Sequence, residues 1–113
     1  MKDLFITKNK SIKQALRQIS KTGKKCLIVV DRKNKLLGTL SDGDIRKTIV
    51  KGKNLDNSID DVFFKNPIFL TSGKFFEKEA KELLVNKRLD IIPVIDHSKK
   101  IVDVIYFEKY FGN

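Results

Sequence analysis

Gly38-Thr39-Leu40-Ser41-Asp42-Gly43-Asp44-Ile45-Arg46 joins an apolar strand, Leu36 to Leu40, to an amphipathic segment, Ile45 to Val50. A strand-to-helix junction leaves backbone N–H groups unpaired at the helix start, and those groups attract anions. Three residues beyond the Ser41 hydroxyl, the carboxylate of Asp44 can accept hydrogen bonds from sugar hydroxyls. Phosphate donors and a ribose acceptor one helical turn apart make a nucleotide-shaped pair of contacts. The same Ser41-x-x-Asp44 spacing also fits a helix N-cap, in which the serine oxygen takes an orphan amide and the helix dipole favours the acid. The junction by itself supports both readings.

Upstream, Leu4-Phe5-Ile6 reads as a short extended segment. Ser11-Ile12-Lys13-Gln14 is a capping box, followed by Ile12, Ala15, Leu16 and Ile19 on one helix face and a stop near Gly23. Cys26 to Val30 is a continuous apolar strand, with Cys26 expected as a small buried residue, and Asp31 to Lys35 turns it into Leu36 to Leu40. The helix after the junction is expected from about Asp44 to Lys51. Downstream, Ser58 caps a short helix through Phe64, which Asn66-Pro67 ends. The order then recurs: Ile68-Phe69-Leu70 extended, a helix marked by Phe76, Ala80, Leu83 and Leu84, strands Ile91 to Ile95 and Ile101 to Ile105, and a last helix Phe107 to Phe111.

The recurrence has a fixed period. A shift of 65 residues lays Ala15 on Ala80, Ile19 on Leu84, Val29-Val30-Asp31 on Val94-Ile95-Asp96 and Leu36-Leu37 on Ile101-Val102, without a gap. Units of roughly fifty residues are too small for a stable core alone and must pack on each other, which creates a pseudo-two-fold axis and two related clefts.

This repeated β-α-β-β-α unit resembles the cystathionine-beta-synthase (CBS) domain, and the two together resemble the CBS pair known as a Bateman module. The residues that carry the resemblance are Val29-Val30-Asp31 and Leu37 to Ile45 in the first unit, with Ile92-Pro93-Val94-Ile95-Asp96 and Ile101-Val102 in the second. It implies an α/β fold of tandem repeats about a pseudo-two-fold axis, with units at 1–57 and 58–113. It also implies an adenine nucleotide (AMP, ADP or ATP) or S-adenosylmethionine in the cleft between the units, with no further cofactor. Ser41 would meet phosphate and Asp44 the ribose hydroxyls, with Thr39 from the same strand and Phe69, Asp90 and Ile91 from the other unit completing the site. Leu37 to Arg46 looks most like the CBS pair that precedes sugar-phosphate nucleotidyltransferase domains, which implies a catalytic partner of that kind.

The second unit departs from this pattern. The same shift puts Asp103 at the Gly38 position, Tyr106 at Ser41 and Lys109 at Asp44. An ammonium cannot accept ribose hydrogen bonds, and a phenol fills the phosphate space. The second cleft, bordered by Leu4, Lys24, Lys25 and Lys109, is therefore expected to take no nucleotide in the same pose.

Lysine and arginine number 24 against 14 acids, a net charge of +10. The basic residues are spread over nearly every surface segment, with no zinc spacing and no concentrated basic helix face, so nucleic acid is not the expected partner. No apolar run reaches membrane-spanning length, the start lacks a signal-peptide pattern, and the single cysteine cannot form an internal disulfide, which points to a cytoplasmic protein. His97 has no second histidine or cysteine to share a metal with, and no nucleophile or Gly-rich phosphate loop appears, so neither a metal nor catalysis is expected. A regulatory nucleotide-binding module is one reading; a structural module whose Ser41–Asp44 pair is only a cap is the other. The aromatics Tyr106, Phe107, Tyr110 and Phe111 exceed the needs of one small core and suggest a homodimer face.

Overall fold

The computed structural model describes residues 1–112, so Asn113, the last residue of the expected second unit, lies outside the described residues. A 3₁₀ turn at Lys2–Leu4 leads into β1 (Phe5–Ile6), α1 (Ile12–Thr22), β2 (Cys26–Val30), β3 (Leu36–Ser41) and α2 (Asp42–Val50). After a second 3₁₀ turn, Ile59–Asp61, the chain forms β4 (Leu70–Thr71), α3 (Glu77–Asn86), β5 (Ile91–Ile95), β6 (Ile101–Tyr106) and α4 (Phe107–Phe111). The strands make two sheets, β1-β2-β3 and β4-β5-β6, each a parallel edge pair followed by an antiparallel hairpin. Each strand of the second sheet begins 65 residues after its counterpart, so the internal repeat is structural as well as sequential.

Local chemistry repeats with it. Ser11 and Gln14 close a reciprocal capping box at the start of α1, whose inner face buries Ile12 and Ala15. In the first hairpin, Oδ1 of Asp31 accepts from the backbone N–H groups of Lys33 (2.8 Å) and Lys35 (3.0 Å), and Asn34 sits at φ +61°. In the second, Asp96 accepts from Ser98 (2.8 Å) and Lys100 (3.0 Å), with Lys99 at φ +69°. An aspartate that accepts turn amides holds the hairpin shut without demanding a side chain from the partner strand.

The two units share their interior. Leu27, Ile28, Val29 and Leu40 of the first sheet lie in one core with Ile91, Ile95, Ile101 and Val104 of the second, while Ala80, Leu84, Ile92, Val94 and Ile105 form a smaller core under α3. Backbone bonds related by the repeat tie the hairpins together. Leu36 N–H donates to the carbonyl of Lys99 (2.9 Å), and Ile101 N–H to the carbonyl of Asn34 (3.1 Å).

Several boundaries differ from the sequence expectation. Helix α2 starts at Asp42 rather than near Asp44, because Ser41 is its N-cap and Asp44 occupies the third helical position. Leu4 belongs to a 3₁₀ turn and is only 1% exposed, so it is a core residue and not part of an extended segment. The helix expected from Ser58 through Phe64 is a single 3₁₀ turn. The chain leaves it to pair Phe64 with Thr39, each N–H donating to the other's carbonyl at 2.8 and 3.0 Å.

That pairing depends on Gly38. A methyl group there would meet the Phe64 carbonyl oxygen and lie 2.6 and 2.8 Å from ring carbons of Phe63, which is buried. Gly38→Ala is expected to destabilise the protein by about 1–3 kcal/mol, the usual cost of forcing extra atoms into a packed site. Gly43→Ala should be far milder, because a Cβ there meets only the Ser41 hydroxyl at 3.7 Å. Urea unfolding of both variants checks the contrast, and equal midpoints would contradict it.

Candidate functional site

The β3–α2 junction is built as both readings of the sequence require. Ser41 Oγ accepts from the Asp44 amide (3.0 Å), and Asp44 Oδ2 accepts from the Ser41 amide (3.0 Å). This is a complete capping box, so both residues have a structural role. The box leaves capacity over: among the described residues none donates to Asp44 Oδ1, and both side chains remain half-buried rather than sealed. Capping and ligand contact are therefore compatible at these residues.

A cavity of about 270 Å³ opens in front of the junction. Thr39, Ser41 and Asp44 form one wall, and Arg88, Leu89, Asp90 and Ile91 of the other unit form the opposite one. Ile68 and Phe64, from the segment joining the units, and Cys26, at the start of β2, complete it. The walls are held in register by two more bonds related by the repeat. The Asp42 amide donates to the Lys25 carbonyl (2.9 Å), and the Phe107 amide donates to the Asp90 carbonyl (2.9 Å). Each hairpin's exit is thus pinned to the residue that begins it.

Five of the six residues expected from the sequence meet in this cavity: Thr39, Ser41, Asp44, Asp90 and Ile91. Phe69 does not. It is 46% exposed, and its neighbour Ile68 lines the wall instead. Adjacent side chains ahead of a strand point to opposite sides, so only one of the two can face inward. The sequence reading missed Cys26, Phe64, Ile68, Arg88 and Leu89. Cys26 is half-buried in the cavity wall and not sunk in the core as expected. Its position was legible as the counterpart of Ile91 under the 65-residue shift, and Arg88 as the counterpart of Gly23.

The electrostatics of the cavity are those of two acids and one base. Burial, reinforced by the carboxylates of Asp44 and Asp90, pushes the Cys26 thiol up to about 12. That thiol is a neutral wall and not a nucleophile.

The pseudo-symmetric cleft is smaller, about 200 Å³, and Tyr106, Phe107, Glu108 and Asp90 share its lining with lysines. Lys24 and Lys25 line it as expected, but Lys24 is committed: its Nζ lies 3.0 Å from Glu108 and 5.0 Å from the centre of the Tyr106 ring. Lys109 does not reach this cleft and lines a separate hollow with Phe75, Asp103 and Tyr110. The expected convergence of three lysines is therefore absent, Lys109 lining the other hollow instead.

The carboxy-terminal aromatics are also less available than expected. Tyr106, Phe107 and Tyr110 pack against the cores, leaving Phe111 (43% exposed) as the outlying member of the four, whereas Phe76 is exposed at 79%. No group of three or more His, Cys, Asp or Glu suited to a metal occurs among the described residues, and none of their helices is long and apolar enough to cross a membrane.

With two repeated units, a shared core and a cleft between them, the chain has the fold of a CBS domain pair. Residues 1–51, which end at the close of α2, match the family model described as the CBS domain. A CBS domain pair/ACT domain protein of Thermotoga maritima superimposes with a TM-score of 0.76 at 15% identity, over 92% of this chain and 81% of that one. CBSX2, solved in complex with AMP, gives a TM-score of 0.77 at 21% identity, over 91% of this chain and 80% of that one. In sequence, the chain is 28% identical over 101 residues to arabinose 5-phosphate isomerase GutQ of Salmonella typhimurium, a match covering 89% of this chain and 31% of the relative. The chain thus spans about a third of the length of that relative.

The cysteine offers a direct check of the cavity's chemistry. With the thiol held at about 12 against an ordinary 9.0, folded protein at pH 8 should react with a thiol reagent at least about a hundredfold more slowly than unfolded protein, since thiolate is the reacting species. Raising the pH from 8 to 9 should still leave the folded thiol almost wholly protonated. Equal rates for folded and denatured protein would show that Cys26 is not shielded.

Proposed function

We propose that this chain is a regulatory module that binds one adenine nucleotide between its two units, and that it is not itself catalytic. The observation that carries this reading is the cavity in which Ser41 and Asp44, on one unit, face Asp90 and Ile91, on the other. A ligand held by both units stabilises their mutual packing, which is how binding would be felt by an attached partner. Asp44 retains an acceptor oxygen for a ribose hydroxyl after serving the cap, and Ser41 stands next to it as a phosphate contact. Thr39 adds a hydroxyl, and apolar walls from Ile68 and Leu89 suit a base. In the second cleft the Tyr106 phenol stands at the Ser41 position and Glu108 is already paired with Lys24, so one ligand per chain is expected. The units are taken as 1–57 and 58–113, with the nucleotide spanning them.

The regulated partner is proposed to be a catalytic domain that handles a sugar phosphate. The nucleotidyltransferase suggested by Leu37 to Arg46 is one such domain. The isomerase named in the relatives is another, and it is favoured here by a match over most of this chain. Cytoplasmic location and a homodimer fit this role, with the exposed Phe76 and Phe111 as candidate contact residues. Light scattering at high protein concentration tests the dimer, and a strictly monomeric mass would remove it.

The site itself is tested by calorimetry and melting with adenosine, AMP, ADP and ATP. Saturation at one ligand per chain is expected; two equivalent sites would contradict the different lining of the second cleft. Asp44→Asn keeps an oxygen for the Ser41 amide, so the ligand-free melting temperature should barely move. Nucleotide affinity should fall about ten- to a hundredfold, as expected when a charged acceptor worth roughly 1.5–3 kcal/mol is lost. Unchanged affinity in this variant would leave the pair as a helix cap alone.

A further inference from the structure

Arg88 occupies a conformation that its side chain disfavours. It ends α3 at φ +54°, where its pseudo-symmetric counterpart at the end of α1 is Gly23 at φ +70°. The geometry is that of a Schellman closure: Arg88 N–H donates to the Val85 carbonyl (3.3 Å) and Leu89 N–H to the Leu84 carbonyl (3.0 Å). Glycine is the usual residue at such a position because a Cβ crowds the backbone in the left-handed region. Strain of this kind also occurs at Lys99 in the second hairpin turn, but it clusters at ligand-binding positions.

The position of Arg88 supplies a purpose for it. It is the one cationic side chain on the cavity wall, facing a site that otherwise carries the carboxylates of Asp44 and Asp90. The guanidinium is exposed, and no described residue forms an ion pair with it. Favourable contact with the carbonyl end of α3 is the ordinary use of an arginine there. That use does not require the left-handed residue, because a base anywhere in the last turn would serve equally.

We propose that Arg88 receives the ligand's phosphate together with Ser41 and that it restricts the ligand to a single phosphate. The proposal rests on the nucleotide reading above and deepens it. One guanidinium fork matches one phosphate group bidentately. Further phosphates would extend into a cavity whose other charged side chains, Asp44 and Asp90, are both negative, with no second cation among its lining residues to receive them. A monophosphate therefore gains from Arg88 what a nucleoside lacks, and a triphosphate gains no more while adding repulsion.

Titrations of wild type, Arg88→Gly and Arg88→Lys with adenosine, AMP and ATP test this. Wild type should bind AMP at least about tenfold more tightly than adenosine or ATP. Arg88→Gly should melt a few degrees higher than wild type without ligand, since strain is relieved. Its AMP affinity should drop most of the way to that of adenosine, Ser41 being retained, while adenosine binding stays unchanged. Arg88→Lys, which keeps charge and strain but loses the planar fork, should recover only part of the AMP preference. If Arg88→Gly binds AMP as tightly as wild type, Arg88 merely closes the helix and the proposal is overturned while the nucleotide reading stands. ATP binding tighter than AMP in wild type would overturn the single-phosphate limit. Failure of wild type to bind any of the three would overturn the nucleotide reading and the proposal with it.

Discussion

Leu36 and Ile101 each give their amide to the opposite hairpin, and around those two bonds the interiors of the halves merge. Ile91, Ile95, Ile101 and Val104 complete a core that begins with Leu27 to Val29, so neither sheet is covered until the other arrives. A unit of this size buries too little apolar surface to offset its own chain entropy. The contact between the repeats is consequently the constraint on which the hairpins, the helix starts and the cavity all depend. The space between Asp44 and Asp90 is where the merged interior ends and polar groups from both sides meet.

Duplication has been followed by divergence on opposite sides of the axis. Where the first unit presents Ser41 and Asp44 to solvent, the second presents Tyr106 and Lys109. The phenol and the Lys24–Glu108 pair fill the space that the hydroxyl and carboxylate leave open. Where α1 ends on glycine, α3 ends on arginine, and that arginine lines the larger cleft rather than the smaller one. The differences between the units thus give the two related clefts different linings.

Much of this was legible in the sequence because the repeat made each segment a check on another. The apolar runs Cys26 to Val30 and Ile91 to Ile95 became strands with those limits, and the capping box at Ser11 set the start of α1. Five cavity residues followed from the junction and the resemblance. The failures have a common physical source, which is orientation. Phe69 and Ile68 are equally apolar, and only the path of the chain ahead of β4 decides which turns inward. Lys109 matches Asp44 by position, yet its side of a short helix carries it to another hollow. Tyr106, Phe107 and Tyr110 looked surplus because a count of aromatics does not reveal how much of each ring its own core covers.

Position 38 and its counterpart 103 divide the labour of finishing a sheet. At Gly38 the chain itself crosses the outer strand, and Phe64 takes the Thr39 amide. At Asp103 no described segment pairs with the strand, and the aspartate's own Oδ1 takes the next amide, that of Val104, at 2.8 Å. An uncovered edge strand offers its free amides to any extended chain it meets, including a second copy or a half-folded one. Asp103 removes one of those amides and places a negative charge beside the rest, so the open flank of the second sheet resists templating further strands. The residue that fails to match a glycine in the repeat is, on this view, what keeps a two-sheet protein from becoming the seed of a longer one.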